Sequence, residues 1–142
     1  MLPWEHFLLG LFPMIHLWQA YTPVFGMTFL LSSVLIDFDH YLLILYATKF
    51  RVWDPRKAYN YFKSRNGKLH LHIDALFIFH TIEFLVVLLL IYWFTKWTFV
   101  LAVVFGWIYH LFFDMLEVTY FKIRHNRRHK YKPLSLIWYL VK

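Results

Sequence analysis

The stretch Val34–Leu45, VLIDFDHYLLIL, sets two aspartates and a histidine into a run that otherwise reads as the middle of a bilayer-spanning helix. A charge at mid-bilayer costs roughly 2.5–3.5 kcal/mol on insertion scales, so Asp37, Asp39 and His40 need compensation from elsewhere in the fold. The surrounding apolar run extends from about Val24 to Ala47. Against the roughly 20 residues that a crossing helix requires, it is long enough to span.

Two further runs have similar length, about Leu76–Phe94 and Thr98–Phe121, and a shorter one covers about Trp4–Ala20. The shorter run contains Pro13, which is expected to kink it. Hydrophobic residues make up 61% of the 142 residues, more than a soluble surface tolerates. The expected fold is therefore all-α: a single membrane-embedded domain over residues 1–142, with helices at about 4–20, 24–47, 76–94 and 98–121. A basic cytoplasmic loop, 48–73, and a basic C-terminal tail, 122–142, complete it. Within that loop Asp54-Pro55 can start a short helix and Asn66-Gly67 marks a turn. The link Thr95-Lys96-Trp97 is short enough to force an antiparallel hairpin, and Tyr21-Thr22-Pro23 reads as a tight turn. The C-terminal LSLIWYLVK is too short to cross and is expected to lie in the interface, anchored by Trp138 and Tyr139.

Every Lys and Arg except Lys96 falls in Lys49–Lys68 or Lys122–Lys142. Four helices put both segments on one side, which the positive-inside rule makes cytoplasmic. A net charge of +7 suggests nucleic acid in a soluble chain; here the basic residues flank membrane segments and suit anionic lipid, so no nucleic-acid partner is expected. Cysteine is absent, which excludes disulfides and thiolate metal sites. The N-terminal MLPWEHFLLGLF has an acid where a signal peptide carries its basic region and no small-residue cleavage motif, so it is expected to be retained.

Asp37 and His40 are spaced i, i+3, while Asp39 on a regular helix points elsewhere. FHTIEF places His80 and Glu83 at i, i+3, and YHLFFDMLE places His110, Asp114 and Glu117 at i, i+4, i+7; each set is expected on one helix face. Counted at 1.5 Å per residue from the cytoplasmic ends, these groups lie at similar depths, roughly 6–17 Å in. His6 enters from the first helix at a shallow level. No Lys or Arg lies within the runs to offset the carboxylates, and a divalent cation is the natural partner. Histidine and carboxylate ligands without cysteine suit zinc first, with iron or manganese as alternatives, as one or two ions. A lone polar residue in a membrane helix more commonly serves as interhelical hydrogen-bond glue, and His16 fits that description. His70 and His72 are expected at the interface, and the tail RHNRRHK, with His125 and His129, as a basic face on lipid phosphates.

In order and spacing, HFLLG, LIDFDH, FHT and HLFFD resemble the membrane-bound metal-dependent hydrolases, a family of small inner-membrane proteins. The family pattern runs from a histidine followed by glycine, through Pro-Asp-x-Asp-His, to His-Arg-Gly-x-Thr-His-Ser and a final His-x3-Asp. The resemblance implies that His6 and Gly10 answer the first motif, and Asp37, Asp39 and His40 the second. His80 answers the second histidine of the third, and His110 and Asp114 the last. Ile36 stands where the family has proline. Residues Ala75–Ile78 replace the His-Arg-Gly half of the third motif, and Glu83, one turn beyond His80, is the proposed substitute.

The expected function is a membrane-embedded hydrolase of a lipid or other membrane-proximal ester, most of all a phosphoester, through metal-activated water. Asp37, Asp39, His40, His80, His110 and Asp114 are the candidate metal ligands, with His6 as an additional one. Glu83 or Glu117 serves as general base or acid. Lys68, Arg124, Arg127 and Arg128 are the candidates for the phosphate or lipid head group. Two other readings remain open on the sequence: a di-iron oxidase or hydroxylase, and a non-enzymatic scaffold or metal transporter.

Overall fold

The computed structural model describes residues 3–58, 60 and 78–125. The main elements among them are α1 Pro3–Ala20, α2 Pro23–Leu35, α3 Phe38–Ala47, α4 Ile82–Thr95 and α5 Thr98–His125, with a 3-10 turn at Ile78–His80 ahead of α4. No strand occurs among the described residues. Two stretches of helix, Pro23–Ala47 and Thr98–Glu117, are long and apolar enough to cross a membrane.

The fold departs from the sequence reading in three places. The first concerns the third apolar run, which is helical only over Ile82–Thr95, about 21 Å at 1.5 Å per residue and short of a 30 Å hydrocarbon core. Thr81 is the cause: its extended backbone, φ −95° and ψ 149°, ends the 3-10 turn, and its hydroxyl accepts from the Phe84 N–H to cap α4. Of the three long transmembrane helices expected, two are long and apolar enough to cross a membrane, and the third run forms a shorter apolar helix. Second, the run Val24–Ala47 is divided at Ile36–Asp37. There the N–H groups of Asp37, Asp39 and His40 donate to residues three back, at 3.3, 3.5 and 3.1 Å, which tightens the winding locally. Third, α5 runs to His125 rather than stopping at Phe121; α1 is assigned as one helix of 18 residues that contains Pro13.

α1 and α2 form an antiparallel hairpin, α2 packs on α5, and α4 packs on α5. Small residues let the backbones close, as in other membrane helix pairs. A Cβ on Gly26 would lie 2.7 Å from the Met14 carbonyl oxygen, and one on Gly106 would lie 2.5 Å from the Phe29 carbonyl oxygen. Around them Phe25, Phe29, Leu30, Val104 and Trp107 are buried. By contrast α4 has no buried residue: Phe84, Leu85 and Leu88 are half-buried, and most of its other apolar side chains are exposed.

Helix ends are closed by specific contacts. At the α4–α5 hairpin Lys96 takes the left-handed conformation, φ 54°, its N–H returns to the Tyr92 carbonyl, and its ammonium sits 4.1 Å above the Trp93 ring. α3 ends with Lys49 and Phe50 both left-handed; the Phe50 N–H reaches the Leu45 carbonyl at 2.7 Å and the Lys49 N–H the Tyr46 carbonyl at 3.0 Å, a Schellman closure. Beyond it residues 55–58 are helical, and Asp54 accepts from the Arg56 N–H at 2.8 Å, as the Asp-Pro pair led one to expect.

Candidate metal centre

Each element carries its ionisable groups to one level. Measured from the hairpin end of its helix, His6 on α1 and Asp37 beyond α2 are both roughly 21 Å away, and His110 and Asp114 on α5 about 18 and 24 Å. His80, in the turn before α4, falls in the same interval. Two packed helix pairs and one tightened turn therefore deliver five side chains to one small volume.

In the first group, Asp37, His80, His110 and Asp114 each offer a ligand atom, and the four atoms lie within 4.8 Å of one another. His110 Nε2 stands 3.2 Å from His80 Nε2, 3.2 Å from Asp114 Oδ2 and 3.6 Å from Asp37 Oδ1. His80 Nε2 is 3.9 Å from Asp114 Oδ2 and 4.0 Å from Asp37 Oδ1. A tetrahedral ion with N and O ligands at 2.0–2.1 Å sets those ligands about 3.3 Å apart, close to what these side chains already adopt.

The outer hydrogen bonds decide which nitrogens face inward. His110 Nδ1 lies 2.7 Å from the Ser33 carbonyl oxygen, which only accepts, so Nδ1 carries the proton. His80 Nδ1 likewise donates to Asp39 Oδ2 at 2.9 Å. The neutral form of either ring then presents its Nε2 lone pair to the other and to two carboxylate oxygens. Such a convergence of acceptors could hold a metal ion, and a divalent one would match the two carboxylate charges where a single extra proton would offset one. Ligating histidines in metalloproteins have their second nitrogen occupied in this way.

The Ser33 carbonyl is free for this role because of the tightened turn. The Asp37 N–H, which would return to Ser33 in a regular helix, donates to Val34 instead. Asp114 is oriented from its other side: Oδ1 accepts from His6 Nε2 at 3.1 Å, and the fully buried His6 ring stacks on His110 with centroids 3.9 Å apart. The His6 Nδ1 atom is buried without a hydrogen-bond partner. His6, expected as an additional ligand, thus sits behind Asp114 as an orienting group.

Asp39, His40 and His80 form a second group of the same kind. Asp39 is buried, and its two oxygens are divided between His40 Nδ1 at 2.7 Å and His80 Nδ1 at 2.9 Å. On a regular helix Asp39 would point about 160° away from Asp37; at about 120° per residue instead of 100° the tightened turn reduces this to about 120°, and its Oδ1 meets the adjacent His40 Nδ1 directly. The reading that Asp39 points elsewhere is corrected accordingly.

Two other expectations are revised. His80 and Glu83 do not share a helix face, because Thr81 separates the turn from α4. Glu83 and Glu117 are both half-buried, and neither belongs to either ligand group. His16 bonds the Phe12 carbonyl of its own helix at 3.0 Å, away from the centre. Lys68, Arg127, Arg128, His70, His72, His129 and the LSLIWYLVK segment lie outside the described residues, as does the side chain of Arg124.

Sequence reasoning missed Trp107. Its buried indole Nε1–H donates to the Phe79 carbonyl at 2.6 Å, tying the His80 turn to α5 one helical turn before His110. An aromatic within an apolar run reads as lipid contact; its spacing of three from His110 was the available signal. Trp107→Phe keeps the ring and deletes the donor. We expect it to weaken metal binding about 10–100-fold, as loss of an outer partner does, measured by competition with a chromogenic chelator. An unchanged affinity would show that the turn holds itself. Compared with family models, curated proteins and solved structures, the chain matches none.

Proposed function

We propose that the chain is a membrane-embedded metal-dependent hydrolase acting on an ester of a membrane lipid, with a phosphoester preferred. The observation that carries this reading is the convergence of Asp37, His80, His110 and Asp114, with both imidazoles oriented from behind. The hairpin end carries Trp18, Tyr21, Tyr92, Trp93, Lys96 and Trp97, residue types that favour a membrane interface. With that end at one interface, the centre lies about 20 Å into the bilayer, nearer the opposite face. The basic segments then flank that face, which the positive-inside rule makes cytoplasmic.

A divalent ion held there supplies a Lewis acid and lowers the pKa of a water toward 7. Asp37, His80, His110 and Asp114 would hold it; Ser33, Asp39 and His6 keep three of those ligands in orientation. Glu117, one turn along α5 from Asp114, and Glu83, three residues beyond His80 in the sequence, are the carboxylates proposed to move the proton. The ester bond cleaves as water oxygen adds to phosphorus and the alcohol oxygen leaves with its electron pair and takes up a proton. Confinement of the ligands to one level favours this over a conduit, which needs polar groups through the whole thickness.

The test is phosphate release from phosphatidic acid vesicles by the purified full chain. Activity should disappear with chelator, return with Zn2+ or Mn2+, and be lost in Asp114→Ala; release that survives both treatments overturns the proposal.

A further inference from the structure

Four protein ligands fill the tetrahedron that zinc prefers, whereas hydrolytic zinc sites hold three and keep a position for water. Beside this closed set stands the second group, Asp39, His40 and His80; with His80 Nε2 turned to the closed set and its Nδ1 on Asp39, the second group leaves Asp39 and His40 to a further ion. Building on the metal-centre reading above, we propose that the centre is dinuclear, with Asp37 shared between a closed site of His80, His110 and Asp114 and an open site of Asp39 and His40.

Asp37 has the position that sharing demands. Its Oδ1 lies 3.6 Å from His110 Nε2 on one side and 3.6 Å from His40 Nδ1 on the other. Its Oδ2 is buried with no hydrogen-bond partner, a costly state for a carboxylate oxygen and one that a neighbouring cation relieves. Asp39 divides its oxygens: Oδ2 keeps His80 in its ligating tautomer, while Oδ1, 2.7 Å from His40 Nδ1, is available with that nitrogen to a second ion. Helix bundles build dinuclear carboxylate-histidine centres from such inward-facing sets.

Charge points the same way. Asp37, Asp39 and Asp114 together carry three negative charges. One divalent ion leaves this set at −1, which repels an anionic phosphoester in a low dielectric; two leave it at +1, which attracts one. Two-metal centres act on such esters by gripping the attacking and leaving oxygens together.

The experiment is a Zn2+ titration of the detergent-purified full chain, with bound metal measured by mass spectrometry after desalting. Two ions per chain are expected, falling to one in Asp39→Asn and in His40→Gln. One ion in the unsubstituted chain overturns the shared centre and leaves the four-ligand site standing; none overturns both. Two ions retained in both variants overturns the ligand assignment. If the variants do not fold, the unsubstituted chain loaded with Mn2+ decides by electron paramagnetic resonance. An exchange-coupled pair signal is expected, and only isolated six-line spectra at saturation would defeat the proposal.

Discussion

Replacing His110 by alanine is expected to abolish stoichiometric metal binding and with it the metal-dependent part of thermal stability. His110 joins five groups of the centre, and it alone of the two central histidines is fully buried. Its Nε2 is within 3.6 Å of ligand atoms from His80, Asp37 and Asp114, its Nδ1 holds the Ser33 carbonyl, and its face supports His6. The affinity should fall by more than about 100-fold, the upper end of what removing only an outer partner does. Apart from metal, the substitution empties a fully buried position and strands the Ser33 carbonyl, together about 3–5 kcal/mol. Unfolding followed by circular dichroism separates the two effects. Zn2+ should raise the Tm of the unsubstituted protein by preferential binding to the folded state and leave that of His110→Ala unmoved. A variant that keeps its metal, or whose Tm still responds to Zn2+, would refute the assignment.

Gly106→Ala is expected to be the most damaging methyl addition in the bundle. Alanine is favoured over glycine within a helix by about 1 kcal/mol, so the substitution would stabilise an open position. Here the added Cβ collides with Ser32 Oγ and lies 2.5 Å from the Phe29 carbonyl oxygen and 3.0 Å from the Ser33 nitrogen. Backbone atoms cannot turn away as side chains do, and overpacking of this sort costs about 1–3 kcal/mol or more, which outweighs the propensity gain. The two helices must separate, and His110, one turn along α5, separates from Asp37 with them. Metal content should therefore fall along with stability. Gly26→Ala provides the contrast: it meets the Met14 carbonyl oxygen at 2.7 Å, but at the hairpin end, so it should reduce Tm while sparing metal. Equal metal loss in both variants would mean general unfolding rather than displacement of α5.

The residues that converge were legible because their chemistry is improbable where they stand. Asp37, His80, His110 and Asp114 interrupt apolar runs, and counting rise along each run placed them at one level. Hydropathy could not show where helices begin and tighten, since those events are local hydrogen-bond choices. Thr81 caps α4 through a single hydroxyl in a segment apolar on both sides, so Leu76–Phe94 read as one helix although a threonine ahead of such a run is a known start signal. Asp39 was misdirected for a similar reason: three N–H groups choosing the carbonyl three back instead of four re-aim a side chain without altering composition. The Ser33 carbonyl lay beyond reach altogether, because every residue has one and only the fold shows which is spare. Glu83 and Glu117 satisfied the spacing rule but lie outside both ligand groups, as spacing along one helix says nothing about the neighbour it faces.

The near-equal distance from hairpin to centre along α1, α2 and α5 works as a set of matched spacers. Inserting one residue into α5 between Trp97 and His110 would turn the imidazole by about 100° and push it 1.5 Å along the axis, aiming it away from the centre while the other arms stayed in place. The apolar halves of these helices, which touch no ligand, act as rulers: their composition is free to drift among hydrophobic residues, but their length is not.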